Sequence, residues 1–285
     1  MQIREALKHA AGKLVKSSTP SLDARLLLGT AMAATYEQIL LNYDQELDVA
    51  QESCFSELVA RRQLMEPIAY IIGKQEFYGR DFIVDKNVLI PRPETELLVD
   101  IVVNDYNRHL ANKSVEILEL GSGSGAICIS LACEIMAAEI TVVDISDAAI
   151  NISKANAKKH GVLQQINFVK SNWYNNLLVK QYDYIVSNPP YVSRSEKDQM
   201  AEETYIFEPD LALYAADNGL SSYKEIIASA YKYLTPNGKL ILEIGYLQKK
   251  SIIEILQEHK FLNLNIYQDL AGHDRAIVAK VQNCD

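Results

Sequence analysis

A chain of 285 residues is long enough for one large domain or two unequal ones, with room for a full hydrophobic core. Hydrophobic residues make up 48% and charged residues 23%, with only 12 glycines and 8 prolines, which excludes disordered, collagenous and low-complexity architectures. The formal net charge of −9 counts against a surface built to neutralise many phosphates, so nucleic acid is a disfavoured partner.

From Ile3 to about Leu64 apolar positions recur at helical spacing and β-rich runs are absent, which predicts several short packed helices. Ser21, between Pro20 and the leucines at 26 to 28, is the expected N-cap of one of them. Pro67 stops the last. In EFYGRDFIV two β-rich runs flank Gly79, the pattern of a hairpin. The expected division is therefore a helical domain over 1–73, a hairpin linker over 74–90 and a larger domain over 91–285.

After Pro91 the pattern alternates. Strands are predicted over 115–120, 139–144, 166–170, 182–187, 239–244 and 276–281. Helices are predicted from about Gly125, over 147–160, near 220–234 and near 248–259. Short apolar strands separated by amphipathic helices imply a doubly wound, mostly parallel α/β sheet covered on both faces. The first residues lack the unbroken apolar stretch of a signal peptide, and no run approaches the roughly 18 apolar residues of a membrane span, so a soluble cytoplasmic protein is expected. Cys54, Cys128, Cys133 and Cys284 form no C-x-x-C pair, which fits a reducing compartment. The five histidines lie singly, so no protein-bound metal is expected.

Glu119-Leu-Gly121-Ser122-Gly123-Ser124-Gly125-Ala126 follows the first of these strands and opens a helix. Glycines there permit a tight turn and let backbone approach a ligand that a Cβ would block. An ordinary turn with accidental glycines is the alternative, but three at alternate positions in a chain with only 12 outweigh it. The spacing Gly121-x-Gly123-x-x-Ala126 also satisfies a relaxed dinucleotide fingerprint, so the loop alone leaves NAD open. Asp144 ends the second strand, about 20 residues further on, where an acidic side chain receives the ribose hydroxyls of NAD and S-adenosylmethionine alike. A helix-capping role for Asp144 is the competing reading, and Asp147 is the better-placed cap.

Asn188-Pro189-Pro190-Tyr191 ends an apolar strand abruptly, because prolines cannot continue the ladder. A lone N-P dipeptide is usually only a stiff turn. Its location alters that reading, since ligands of open α/β sheets bind outside the carboxyl ends of the strands. An amide or exocyclic amine is a poor nucleophile until acceptors hold its two N–H groups and turn the lone pair outward. The Asn188 side-chain oxygen and the Pro189 carbonyl can supply those acceptors, and Tyr191 an aromatic face. A sulfonium is already activated, so positioning carries most of the work.

Together these residues resemble a class I S-adenosylmethionine-dependent methyltransferase acting on a planar nitrogen. The segments EPIAYIIGKQEFYGRDF at 66–82, LIPRPETELLV at 89–99, FEPDLAL at 207–213, LEIGYLQ at 242–248 and DLAGHDR at 269–275 are similar to those of the release factor glutamine methyltransferases. The resemblance spans nearly the whole chain. It implies a seven-stranded methyltransferase sheet behind a small all-α domain, with a hairpin between them. It also implies N5-methylation of the glutamine in the Gly-Gly-Gln motif of peptide-chain release factors. Carried over by position, Gly121, Ser122, Gly123, Ser124, Gly125, Asp144, Asn172, Trp173 and Asn188 contact S-adenosylmethionine, while Asn188, Pro189, Pro190 and Tyr191 hold the glutamine. In one departure, Asn172 stands where such enzymes often have Asp.

Arg92, Glu94 and Glu96 enter a helix after a proline, which reads equally as helix capping or substrate contact. Glu208 reads equally as a pocket residue or a plain loop acid. Two rival functions remain: a nucleic-acid amine methyltransferase, which the acidic charge opposes, and an NAD-binding or noncatalytic nucleotide-binding module, which leaves Asn188 to Tyr191 without a task.

Overall fold

The structure, a computed structural model, describes residues 1–281; Cys284 lies outside the described residues. Five helices open the chain: α1 (Ile3–Lys13), α2 (Pro20–Met32), α3 (Tyr36–Leu41), α4 (Val49–Gln63) and α5 (Ile68–Ile72). A hairpin of β1 (Lys74–Phe77) and β2 (Arg80–Ile83) follows, then α6 (Glu96–His109), β3 (Val115–Leu120), α7 (Ala126–Glu134), β4 (Ala138–Asp144), α8 (Asp147–Lys159), β5 (Ile166–Lys170) and β6 (Tyr182–Ser187). The remainder comprises α9 (Glu202–Phe207), α10 (Asp210–Leu213), α11 (Ala216–Gly219), α12 (Ser221–Ala230), β7 (Leu234–Glu243), α13 (Lys249–Glu258), β8 (Phe261–Gln268) and β9 (Asp274–Val281). Among the described residues no helix is long and apolar enough to cross a membrane, and no His, Cys, Asp and Glu cluster could hold a metal ion.

The chain forms two units. The smaller comprises Met1–Lys74 with Met200–Phe207; the larger begins at Gln75 and resumes at Glu208. The hairpin, expected as a linker over 74–90, therefore packs with the larger unit except for Lys74. Its Ile83 N–H donates to Asn156 Oδ1 (2.7 Å) while Asn156 Nδ2 donates to Ile83 O (2.9 Å), which pins it to α8.

The smaller unit buries Ile3, Leu14, Leu27, Leu28, Ile39 and Phe55 in its own core. Reciprocal capping boxes start α3 at Thr35/Gln38 and α4 at Asp48/Gln51, each satisfying two otherwise orphaned backbone donors. Helix α2 departs from the sequence expectation. Pro20, which lacks an N–H and has φ preset for a helix, takes the first position, so Thr19 and not Ser21 is the N-cap. Beneath α2 the buried Asp23 carboxylate accepts from Ser17 Oγ (2.8 Å), Thr19 Oγ1 (3.0 Å) and Arg62 Nε (2.6 Å). Arg62 also donates to Glu203 Oε2 (2.6 Å), which ties α9 into this unit although some 140 residues intervene.

The larger unit is a seven-stranded sheet of order β5-β4-β3-β6-β7-β9-β8. Strands β5, β4, β3, β6 and β7 pair in parallel, and β9 runs antiparallel to both neighbours. Successive side chains of β3 feed opposite cores: Val115 and Ile117 pack with Leu98, Val102 and Ile129, whereas Leu118 and Leu120 pack with Tyr223, Ile226 and Ile252. Most inward positions on both faces are therefore apolar, as a doubly covered sheet requires, and the buried exceptions include Glu119 and Glu243 near the carboxyl ends of β3 and β7. The six strands read from periodicity are all present. The seventh, β8, interleaves asparagines with its apolar residues and exposes Leu262 and Tyr267, so it gives no clean apolar run.

Replacing Arg62 by Ala leaves the Asp23 carboxylate buried without its cation. The expected loss is about 3–5 kcal/mol of stability in urea unfolding followed by far-UV circular dichroism; a loss under about 1 kcal/mol would show that the pair is not structural.

Candidate active site

The carboxyl ends of β3, β4, β5 and β6 build the site, with β7 beside β6 behind it, because parallel pairing brings them to one edge. Leu120 pairs with Val143 and Ser187 with Leu242. Beyond β3 the chain turns at once: the N–H groups of Gly121 and Ser122 both donate to Val143 O (2.9 and 3.1 Å). Gly121, Gly123 and Gly125 all have positive φ, at +87°, +49° and +82°. A Cβ on Gly125 would lie 2.3 Å from Ser153 Oγ, so that glycine lets α7 pack on α8. A Cβ on Gly121 or Gly123 would meet nothing within 4 Å, so these two face open space.

That space is a cavity of about 390 Å³. Gly121, Ser122, Gly123, Ser124, Asp144, Asn172, Trp173, Asn188 and Pro190 line it, as do Thr95, Glu119 and Arg92. Three of the anticipated residues do not. Gly125 is the N-cap of α7, Pro189 is buried, and Tyr191 packs against the second core. The Tyr191 carbonyl accepts from Gln248 Nε2 (2.9 Å), and burial, reinforced by Glu243, pushes its hydroxyl up to about 12.

Asp144 sits across the cavity floor. Its Oδ2 accepts from Ser122 Oγ and the Gly123 N–H (both 3.1 Å), and its Oδ1 accepts from the Ser146 N–H (2.9 Å). A carboxylate has about four acceptor positions, so the acid braces the glycine loop and keeps capacity for a ligand hydroxyl. Ser146, not Asp147, caps α8 through its Oγ to the Ala149 N–H (3.2 Å); Asp147 is the first helical residue and pairs with Lys170. Trp173 has φ +47°, a left-handed conformation that bulky residues rarely hold without a reason. It stands in the cavity wall two residues after Ser171, whose N–H donates to Asp144 O (3.0 Å).

At the other end, Asn188 Nδ2 donates to Thr95 Oγ1 (3.1 Å) and Thr95 Oγ1 donates to Glu243 Oε2 (2.6 Å). With Nδ2 committed, Oδ1 is what this side chain offers a ligand. Burial pushes the Glu243 carboxyl up to about 7, against the lowering effect of the Thr95 bond and Arg275. Arg92 holds the N-cap position of a short 3-10 turn (Pro93–Thr95) through its backbone, the Thr95 N–H donating to its carbonyl (3.0 Å), while its side chain donates to Glu208, whose other oxygen accepts from the Ile90 N–H (3.1 Å). Glu208 is only 4% exposed and so is no plain loop acid. Glu96 accepts from the Tyr78 N–H (2.7 Å), while Glu94 is exposed.

Sequence reasoning did not single out Thr95, Glu119 or Glu243 for the site. Glu119 is 1% exposed in the wall, and its Oε2 accepts from the Cys128 N–H (3.0 Å). Burial raises it from 4.5 to about 8, with nearby Asp144 adding to the shift. A carboxyl that holds its proton more tightly folded than unfolded contributes stability that is full below about pH 4.5 and is lost as pH rises towards 8. Glu119→Gln should remove this loss. Melting temperatures across that window should show the wild type declining relative to the variant, and parallel curves would refute the buried, protonated state.

Residues 94–219 match the methyltransferase small domain family, and residues 5–73 match the PrmC N-terminal domain family. A methyltransferase from Pyrococcus furiosus shares the fold, with a TM-score of 0.54 and 18% identity over 80% of this chain and all of that one. The bifunctional methyltransferase of Rickettsia conorii is 43% identical over 97% of this chain, which spans only 57% of that protein's length. The release factor glutamine methyltransferase of Buchnera aphidicola is 36% identical over 99% of this chain and the whole of its own. Likeness at that level, end to end and with both domain families in place, makes this chain a member of the release factor glutamine methyltransferase family.

Proposed function

We propose that this chain transfers a methyl group from S-adenosylmethionine to the side-chain amide nitrogen of the glutamine in the Gly-Gly-Gln motif of a peptide-chain release factor. The observation that carries this reading is the union, in one cavity, of the glycine loop and Asp144 with an Asn188 whose Nδ2 is already committed to Thr95. The cavity suits the cofactor chemically. Open backbone at Gly121 and Gly123 accommodates close approach, Asp144 has acceptor capacity for ribose hydroxyls, and Trp173 and Asn172 provide a flat face and a polar edge for adenine. The cofactor supplies an electrophilic methyl group on a sulfonium.

The chain's own part is orientation. Asn188 Oδ1 and the Pro189 carbonyl accept the two amide hydrogens of the glutamine, which holds the nitrogen lone pair towards the methyl carbon. A nitrogen–carbon bond forms as the sulfur–carbon bond breaks, and the alkylated nitrogen then loses a proton, which is acidic enough to need no strong base. Holding reactants in line supplies much of the rate. The helical unit, which has its own core, is assigned to holding the release factor, and that substrate places the reaction in the cytoplasm.

Two measurements test this. Asp144→Ala should weaken S-adenosylmethionine binding by about 2–4 kcal/mol, the scale of losing charge-assisted bonds. Calorimetry and the emission of Trp173, the single tryptophan, follow the binding; an unchanged dissociation constant removes Asp144 from the site.

Asn188→Ala should cut methyl transfer by about 10²-fold or more with little loss of cofactor affinity. A release factor whose Gly-Gly-Gln glutamine is replaced by Glu should accept no methyl group, because a carboxylate has no N–H pair to orient. Mass mapping of the product decides the substrate. Methylation of an adenine-containing duplex, with none of the release factor, would transfer the assignment to nucleic acid.

A further inference from the structure

Three polar residues from distant parts of the chain meet at the cavity: Thr95 before α6 and Asn188 after β6 line it, and Glu243 at the end of β7 lies behind Thr95. Thr95 is 4% exposed and Glu243 1%, so the bond between them is buried and the Thr95 hydroxyl needs an acceptor there, while the half-buried Asn188 stands between them and the cavity. A threonine hydroxyl has one hydrogen. In this arrangement it points at Glu243, so only oxygen lone pairs face Asn188, and Asn188 must answer with its NH2 group. Turning the Asn188 amide over would set one oxygen against another and lose the bond.

We infer that Thr95 and Glu243 are positioning residues for methyl transfer: Thr95 fixes which end of the Asn188 amide faces the substrate, and Glu243 fixes which way the Thr95 hydroxyl points. The inference rests on the reaction proposed above, in which Asn188 must present an oxygen to the glutamine amide. An amide turned over would present N–H to N–H, and the nitrogen lone pair would no longer be held in line.

The relay has a direction that protonation reverses. An ionised Glu243 can only accept, whereas a protonated one can donate to Thr95 Oγ1, freeing the threonine hydrogen to turn towards Asn188. The charged and titratable groups facing Glu243 are Arg275 from β9, Arg92 and Glu94 from the segment before α6, Tyr191 from the turn after β6, and Tyr223 of α12, whose hydroxyl donates to the Glu243 carbonyl (2.9 Å). Burial outweighs the arginines and leaves Glu243 at about 7, so the switch falls near neutrality.

The test compares wild type with Thr95→Val, Thr95→Ser and Glu243→Gln. Thr95→Val keeps the shape and removes the hydroxyl; its kcat on a release factor should fall roughly 10- to 100-fold, with the KM for S-adenosylmethionine within about threefold. Thr95→Ser should recover to within about threefold of wild type. The wild-type rate should fall as pH drops through about 7, and Glu243→Gln should lack that acid limb. A second readout needs no substrate: the Asn188 side-chain NH2 signal, assigned in a 15N spectrum by its loss in Asn188→Ala, should exchange slowly with water in wild type and Thr95→Ser but fast in Thr95→Val. An unchanged kcat in Thr95→Val, or unchanged exchange of the Asn188 amide, overturns the inference while the proposed reaction stands. If no release factor is methylated yet exchange at Asn188 responds as described, the positioning holds and the substrate assignment fails.

Discussion

Strand β3 lies between β4 and β6, and the site depends on these strands being held in one register. Leu120 is paired with Val143 and Glu119 with Val186, and Ser187 Oγ donates to Leu120 O (2.6 Å) to lock the last turn of the ladder. Both faces of this sheet are buried under helices, so a one-residue slip would exchange the side chains offered to the two cores and is strongly disfavoured. The glycine loop, Asp144 and Asn188 therefore reach a common cavity as a consequence of core packing.

Three acids are buried around the cavity, each at 4% exposure or less: Glu119 lines it, and Glu208 and Glu243 bond to the wall residues Arg92 and Thr95. Taking a carboxyl out of water is costly, and apolar residues of similar volume would fill such places more cheaply. Two of them tie segments far apart in sequence, Glu208 to Ile90 and Arg92 and Glu243 to Thr95, while Glu119 ties the end of β3 to the start of the neighbouring α7. Burial pushes Glu119 up to about 8 and Glu243 up to about 7, so both carboxyls hold a proton more tightly than a solvated acid does.

How much of this could be read from the sequence divides along a physical line. Local chemistry was legible. The alternation of apolar runs gave six strands, glycine spacing gave the loop, and the double proline gave the tip that carries Asn188. Boundaries set by a single backbone bond were missed by one or two residues: Thr19 rather than Ser21 starts α2, and Ser146 rather than Asp147 caps α8. What pattern cannot reveal is closure across distance. Thr95 and Glu243 are ordinary residues in their own neighbourhoods and acquire meaning only when the sheet brings 95, 188 and 243 together. Arg62 and Glu203 do the same for the smaller unit, which claims a segment that linear reading assigned to the larger domain.

The two halves of the cavity also differ in what they can discriminate. The half proposed for the cofactor is built from the glycine loop and Asp144, whose open backbone and acceptor capacity suit a ribose whatever the substrate. In the proposed reaction the substrate half offers the Asn188 oxygen and the Pro189 carbonyl, a pair of acceptors that suits the N–H pair of a glutamine amide and that of an exocyclic base amine equally. Substrate choice must then come from outside the pair of acceptors. A net charge of −9 gives no attraction for a polyphosphate backbone, while full-length likeness to release factor glutamine methyltransferases includes a helical unit that the transfer chemistry itself does not require. Surface charge and domain composition are independent of the motif. Both favour a protein loop as the carrier of the accepting nitrogen.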